Sequence, residues 1–165
     1  MSASEAFDIT EDEVKEETEK VRLFMESLLL KKDGGLFVGV MAFSQGARVA
    51  AGLLMFLEKK RREGCTDFPE MKFAIVNSAT YPPLYFDSGT AASPGKLSIP
   101  SLHLQGSSDP WKPESERMRD EFFDPASSTV IEFTGQHQVP VAQKDTDKVV
   151  NAIRQMAMEA LVEVS

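Results

Sequence analysis

Leu36-Phe37-Val38-Gly39-Val40-Met41-Ala42-Phe43-Ser44-Gln45-Gly46-Ala47-Arg48-Val49-Ala50 is the stretch on which the reading of this chain turns. From Leu36 to Met41 it is apolar and too short for a helix between its breakers, so it reads as a parallel strand apolar on both faces. Beyond Gly46, Ala47, Val49, Ala50, Leu53, Leu54 and Leu57 recur at helical spacing, and the basic run Lys59-Lys60-Arg61-Arg62 closes the pattern, predicting a helix over 47–62. Ser44 therefore falls on a sharp turn between strand and helix, where a serine hydroxyl can be held out as a nucleophile. A five-residue serine motif alone arises often by chance, and here Ala42 replaces its first glycine. Alanine is the mildest replacement, because the strained turn needs small neighbours.

Working outward, Thr10 with Glu13 forms a capping box and opens a helix over 11–30. Its Val14, Thr18, Val21, Met25, Leu28 and Leu29 face inward, its glutamates outward, and Asp33-Gly34-Gly35 stops it. Further strands are expected at Phe73–Asn77, Ser101–Gln105 and Thr129–Phe133, with helices over 114–123 and 145–162. The last helix turns Val149, Val150, Ile153, Met156, Ala157 and Leu161 inward. Residues 1–10 read as disordered, and residues 79–97 as a long lid-like loop without periodicity. Strands alternating with helices imply right-handed crossovers, hence an α/β fold: a mostly parallel sheet with helices on both faces, in one domain over 1–165.

A formal net charge of -8 argues against nucleic-acid or anionic-membrane partners, which an acidic surface repels. The single cysteine, Cys65, has no partner for an internal disulfide and reads as an ordinary loop thiol. Met1-Ser2-Ala3-Ser4-Glu5 has no basic start or apolar run of a secretory signal, so a soluble cytoplasmic protein is expected. No His or Cys cluster has metal-ligand spacing and no Gly-rich phosphate loop occurs, so no metal or other cofactor is expected.

A serine hydroxyl needs a general base to become nucleophilic, and the base needs an orienting group. The chain has two histidines. His103 lies mid-strand in Leu-His-Leu and reads as a packed side chain. His137 lies just after the last strand, in Thr134-Gly135-Gln136-His137-Gln138-Val139-Pro140, at the carboxyl-end rim where parallel sheets gather ligands. Asp109, in Gly106-Ser107-Ser108-Asp109-Pro110-Trp111, follows the preceding strand onto the same rim, where it can hold the imidazole tautomer; Asp124 lies ahead of a strand, on the opposite edge. The order Ser44, Asp109, His137 is the triad order of an α/β-hydrolase. The Gln45 backbone N–H, at the helix start, points toward a developing oxyanion. Trp111, Tyr81, Tyr85 and Phe86 could line an acyl pocket or bury themselves against the domain.

The three segments around Ser44, Asp109 and His137 together resemble the fungal serine hydrolase (FSH) family, over about Glu11 to Leu161. Within it, the Gln45-Gly46-Ala47-Arg48 elbow is similar to that of hydrolases from fungal polyketide gene clusters. The resemblance implies a carboxylesterase or acyl thioesterase working through an acyl-enzyme, releasing a polyketide or other acyl chain from the acyl carrier domain of a synthase. It also implies an earlier strand and a His-Gly or similar turn that supplies a second oxyanion N–H. Nothing of that kind precedes Ser44, so the expectation is an N-terminally truncated α/β-hydrolase whose first strand is an open edge, inviting homo-oligomerisation. Loss of one oxyanion donor costs roughly 10²- to 10³-fold in turnover. Three accounts stay open: a truncated gene product, a short protein completed by self-association, and a weak or inactive homologue serving as an accessory subunit. The Lys59–Arg62 run could meet an acidic carrier domain, or simply complement the helix dipole as a solvated face.

Overall fold

A computed structural model describes residues 10–30, 37–86 and 95–162; the expectations placed on residues 1–9, 33–36 and 87–94 lie outside it. Helix α1 (Glu11–Leu29) starts on the expected capping box: Glu13 N–H donates to Thr10 Oγ1 at 3.2 Å, and Thr10 N–H to Glu13 Oε2 at 2.8 Å. Val21, Met25 and Leu29 pack on the outer side of the next helix, against Leu53, Phe56 and Leu57. Val14, expected inward, is exposed: the contact begins only further along α1.

Strand β1 (Gly39–Phe43) leads into α2 (Gln45–Arg62); β2 (Phe73–Asn77) and β3 (Ser101–Gly106) follow, then α3 (Lys112–Phe122), a 3₁₀ turn (Pro125–Ser127), β4 (Ser128–Phe133) and α4 (Gln143–Val162). All four strands pair in parallel, in the order β1-β2-β3-β4. Pairings Phe43 with Asn77, Asn77 with Leu104, and Gly106 with Phe133 bring the carboxyl ends to one rim. On one face, Ala47, Ala51, Leu54 and Met55 of α2 and Met118 and Phe122 of α3 pack with Ala74 and Val76. On the other, Val149 of α4 meets Ile75, Leu102, Leu104 and Phe133. The expected layers, with helices on both faces, are therefore present. Leu161, placed inward from the sequence, is outside the residues whose side chains are described.

The first strand departs from expectation in place, while its open edge is the one expected. It runs Gly39–Phe43, two residues into the serine motif, whereas Leu36–Met41 was expected. Among the described residues it is an edge: Val40 and Ala42 pack toward α2, but Met41 is 58% exposed. An apolar run signals low polarity on both faces, yet it cannot say whether a neighbour is there to cover them. By contrast β3 is buried along its whole length.

The described start of the 79–97 loop is fastened to α2. Leu84 N–H donates to the Arg48 carbonyl at 2.9 Å, and Arg48 Nε–H to the Pro82 carbonyl at 2.6 Å. Gly52 of α2 allows this close approach, since a Cβ there would lie 1.8 Å from the Leu84 carbonyl oxygen.

Candidate active site

Phe43 ends β1 and Gln45 begins α2, so one residue has to reverse the chain. That residue is Ser44, at φ 55° and ψ -122°, a conformation rare for any residue but glycine. Its N–H donates to the Asn77 carbonyl at 3.0 Å, and its carbonyl accepts from Ala47 N–H at 3.0 Å. Backbone bonds from β2 on one side and α2 on the other thus hold the strained residue, and its hydroxyl stands on the rim. The Gln45 N–H lies in the first turn of α2, where a helix has no acceptor of its own for it.

His137 sits in the loop between β4 and α4. Its Nε2 is 2.7 Å from Ser44 Oγ, and its Nδ1 is 3.0 Å and 3.1 Å from the two carboxylate oxygens of Asp109. With Nδ1–H donated to Asp109, the Nε2 lone pair is free to accept the Ser44 hydroxyl proton. Asp109 is 6% exposed and also accepts the Trp111 N–H at 2.9 Å. Burial pushes its carboxyl up, but the Trp111 N–H, His137 and the Ser78 hydroxyl together outweigh burial and hold it below its ordinary value. Asp109 is thus kept as the anion that an imidazolium needs beside it.

The His137 loop approaches β3 closely. A Cβ at Gly106 would lie 2.3 Å from the Gln136 carbonyl oxygen and 2.8 Å from that of Gly135, so only glycine lets the loop seat. Above the imidazole, the Phe43 ring lies 5.0 Å away, centroid to centroid.

His103 is elsewhere, as expected. Fully buried in β3, it places Nε2 3.1 Å from Ser101 Oγ and its ring edge-on to Phe123. Its Nδ1 has no partner, and burial pushes its pKa down to about 4. Asp124 caps the 3₁₀ turn through a 2.9 Å bond from Ala126 N–H.

The four aromatic residues do not act as a group. Trp111 is exposed beside Asp109. Tyr81 lies under the Arg117 guanidinium and donates its hydroxyl to Glu121, and Tyr85 contacts Phe122, so both face α3. Phe86 is 6% exposed and packs on Phe56 in the core shared by α1 and α2. A chain pinned to α2 at Leu84 carries its next aromatic inward. A cavity of about 410 Å³, lined by Leu54, Leu57, Cys65, Phe68, Met71 and Ile99 among others, opens at the opposite rim, away from Ser44.

Asn77 and Ser78 were missed from sequence. Both are fully buried at the end of β2, and Asn77 Nδ2–H reaches the carbonyl of Gln138, next to His137, at 3.4 Å. The available signal was a polar Asn-Ser pair closing the otherwise apolar run Phe73–Val76.

A parallel sheet whose edge strand turns through a left-handed serine into a helix, with an Asp-supported histidine on the neighbouring rim loops, defines an α/β-hydrolase. Residues 4–149 match the family described as serine hydrolase (FSH1), and the chain belongs to that family. Among its relatives, the thioesterase FSL2 of Gibberella zeae is 34% identical over 172 residues, covering 92% of this chain and 64% of that protein. The probable esterase azaC of Aspergillus niger is 32% identical, covering 76% of this chain and 49% of that one. The esterase FUS5 of Gibberella fujikuroi is 29% identical, covering 88% and 56%. The chain thus spans roughly half to two thirds of the length of these relatives. In fold it is similar to acyl-protein thioesterase 2 of Zea mays, with a TM-score of 0.57 at 16% identity over 86% of this chain and 65% of that one. Among the described residues no helix is long and apolar enough to cross a membrane.

Proposed function

We propose that this chain is a serine hydrolase that cleaves an ester or thioester through an acyl-enzyme intermediate. The observation that carries the reading is the unbroken contact from Ser44 Oγ through His137 to Asp109. In this reading Ser44 attacks the acyl carbonyl while its proton passes to His137 Nε2; that proton then goes to the leaving alcohol or thiol, and water repeats the sequence to free the acid. Asp109 holds the tautomer and balances the imidazolium. The Gln45 N–H, at the positive end of α2, donates to the oxyanion.

The acyl group is a polyketide or similar chain presented by an acyl carrier domain in fungal secondary metabolism. Support comes from relatives named as a thioesterase and as esterases. Exposed Trp111, Phe43 and Val139 give the rim apolar surface suited to an acyl chain, and each methylene that such a chain buries contributes about 0.8 kcal/mol. A cytoplasmic location suits a substrate delivered by a synthase. The exposed edge of β1 suits pairing with a second copy: Val38 and Ser44 bond to β2, so in a parallel ladder Gly39, Met41 and Phe43 turn their backbone groups the other way.

Hydrolysis of p-nitrophenyl esters and of an N-acetylcysteamine thioester by the purified chain tests this function. Turnover that disappears in Ser44→Ala is expected. A folded chain with no Ser44-dependent turnover on either substrate would support the accessory-subunit account instead.

A further inference from the structure

The imidazole that meets Ser44 stands at the tip of a tight turn. Gln138 N–H donates to the Gln136 carbonyl at 2.9 Å, which makes a three-residue γ-turn with His137 at its centre. The limb entering this turn is held by the backbone that leads to Asp109: Ser107 N–H donates to the Phe133 carbonyl and Ser108 N–H to the Gly135 carbonyl, each at 2.9 Å. Those bonds fix His137 relative to Asp109. They do not fix it relative to Ser44, which follows β1 at the other edge of the sheet.

The limb leaving the turn meets a side chain. Asn77 ends β2, where it is the register partner of Phe43 on β1 and of Leu104 on β3, and it is fully buried. Phe73 and Ile75 of β2 pack on the α4 side of the sheet, so strand alternation puts Asn77 on that side too, the side reached by the loop from β4 to α4. Its Nδ2–H donates to the Gln138 carbonyl at 3.4 Å, and its Oδ1 accepts the Ser78 hydroxyl at 3.3 Å. The amide fits only this way round, because a carbonyl accepts and cannot donate. The same residue holds the nucleophile, since the Asn77 backbone carbonyl takes the Ser44 N–H at 3.0 Å. One buried residue is thus bonded to both ends of the 2.7 Å contact between Ser44 Oγ and His137 Nε2: to the serine through its backbone, and to the turn that carries the imidazole through its side chain. The strand needs only the backbone bond, and an apolar side chain would simply continue the run Phe73–Val76.

We propose that Asn77 is a positioning residue for the Ser44–His137 pair, its side-chain amide tying the outgoing limb of the His137 turn to the strand end whose carbonyl seats Ser44. The assignment rests on the hydrolytic reading of Ser44. Two anchors then divide the work: the Asp109 loop, with its notch at Gly106, sets the imidazole against its orienting carboxylate, and Asn77 sets it against its nucleophile.

Asn77→Leu deletes the amide but keeps the backbone bond to Ser44 and a side chain of similar size; Asn77→Ala deletes the amide and leaves the space. In both variants kcat on p-nitrophenyl acetate should fall about 3- to 30-fold with KM unchanged, between the effect of one neutral hydrogen bond and that of misplacing a reacting group by about 1 Å. A second readout needs no turnover. An imidazole nitrogen that accepts a hydrogen bond and a bare one resonate apart in nitrogen NMR, so the His137 Nε2 signal should move in Asn77→Leu toward its position in Ser44→Ala, where the donor is gone. A folded Asn77→Leu protein with kcat within about 2-fold of wild type, with the loss in KM instead of kcat, or with the Nε2 signal in its wild-type place overturns the proposal. Loss of fold in both variants overturns it too, making Asn77 a determinant of the fold alone. If the wild-type chain shows no Ser44-dependent turnover, the hydrolytic reading fails, and the nitrogen signal by itself decides whether Asn77 holds the imidazole to Ser44.

Discussion

His137 and His103 are the same side chain in opposite settings. His137 lies in a loop beyond the carboxyl end of β4, with Asp109 on one ring nitrogen and Ser44 on the other. His103 lies inside β3, with Ser101 on one nitrogen and nothing on the other. Burial disfavours the imidazolium at His103, whereas the Asp109 carboxylate awaits one at His137. A histidine becomes a base when partners flank both nitrogens at a rim that substrate can reach; buried in a strand, it contributes only packing and an acid-sensitive weakness.

The largest expected effect breaks the comparison outright. Ser44→Ala or His137→Ala should lower kcat by about 10⁴-fold or more, and Asp109→Asn by about 10³- to 10⁴-fold, as triad lesions do elsewhere. His103→Leu should leave kcat within about 3-fold, since the ring touches no reacting group. Steady-state assays on one ester measure all four variants, and a His103→Leu loss matching that of His137→Ala would erase the distinction.

Next comes the seat of the His137 loop. Gly106→Ala puts a methyl into the space of the Gln136 carbonyl and should displace the imidazole, lowering kcat about 10- to 100-fold with the fold retained. Circular dichroism with the same assay checks both halves of that outcome.

Acid stability sharpens the contrast from the side of His103. Its folded pKa of about 4 lies below the ordinary 6.5, so the unfolded chain binds the proton more readily across that window. Stability from the neutral ring is complete above about 6.5 and falls as pH drops to about 4, by roughly 3 kcal/mol at about 1.4 kcal/mol per unit. Urea unfolding at pH 7 and pH 4.5 should show most of that loss in wild type and little of it in His103→Leu. The depressed Asp109 carboxyl acts in a lower window: its contribution is present above the unfolded carboxyl value and is lost as pH falls through the folded one. The smallest expected change is at the β1 edge, where Met41→Lys should weaken self-association in sedimentation runs without altering kcat.

Much of this was legible before any coordinates. Breakers and periodicity gave the helices and the four strands, and strand-helix alternation gave their parallel order. Ser44, Asp109 and His137 could be chosen because each follows a strand, while His103 lies within one. What stayed hidden depended on neighbours. Phe86 reads like Tyr81 until the Leu84–Arg48 bond turns the chain toward the core. Ser78 was hidden for another reason: nothing in an Asn-Ser pair announces a left-handed φ.

The central claim is that His137, backed by Asp109, makes Ser44 nucleophilic. A fluorophosphonate probe reports on this directly, because it phosphonylates an activated serine and needs no natural substrate. Intact-mass analysis of the folded chain should show one adduct, localised to Ser44, absent in Ser44→Ala and formed far more slowly in His137→Ala. A folded wild-type chain that stays unlabelled, or that labels equally well without His137, would contradict it.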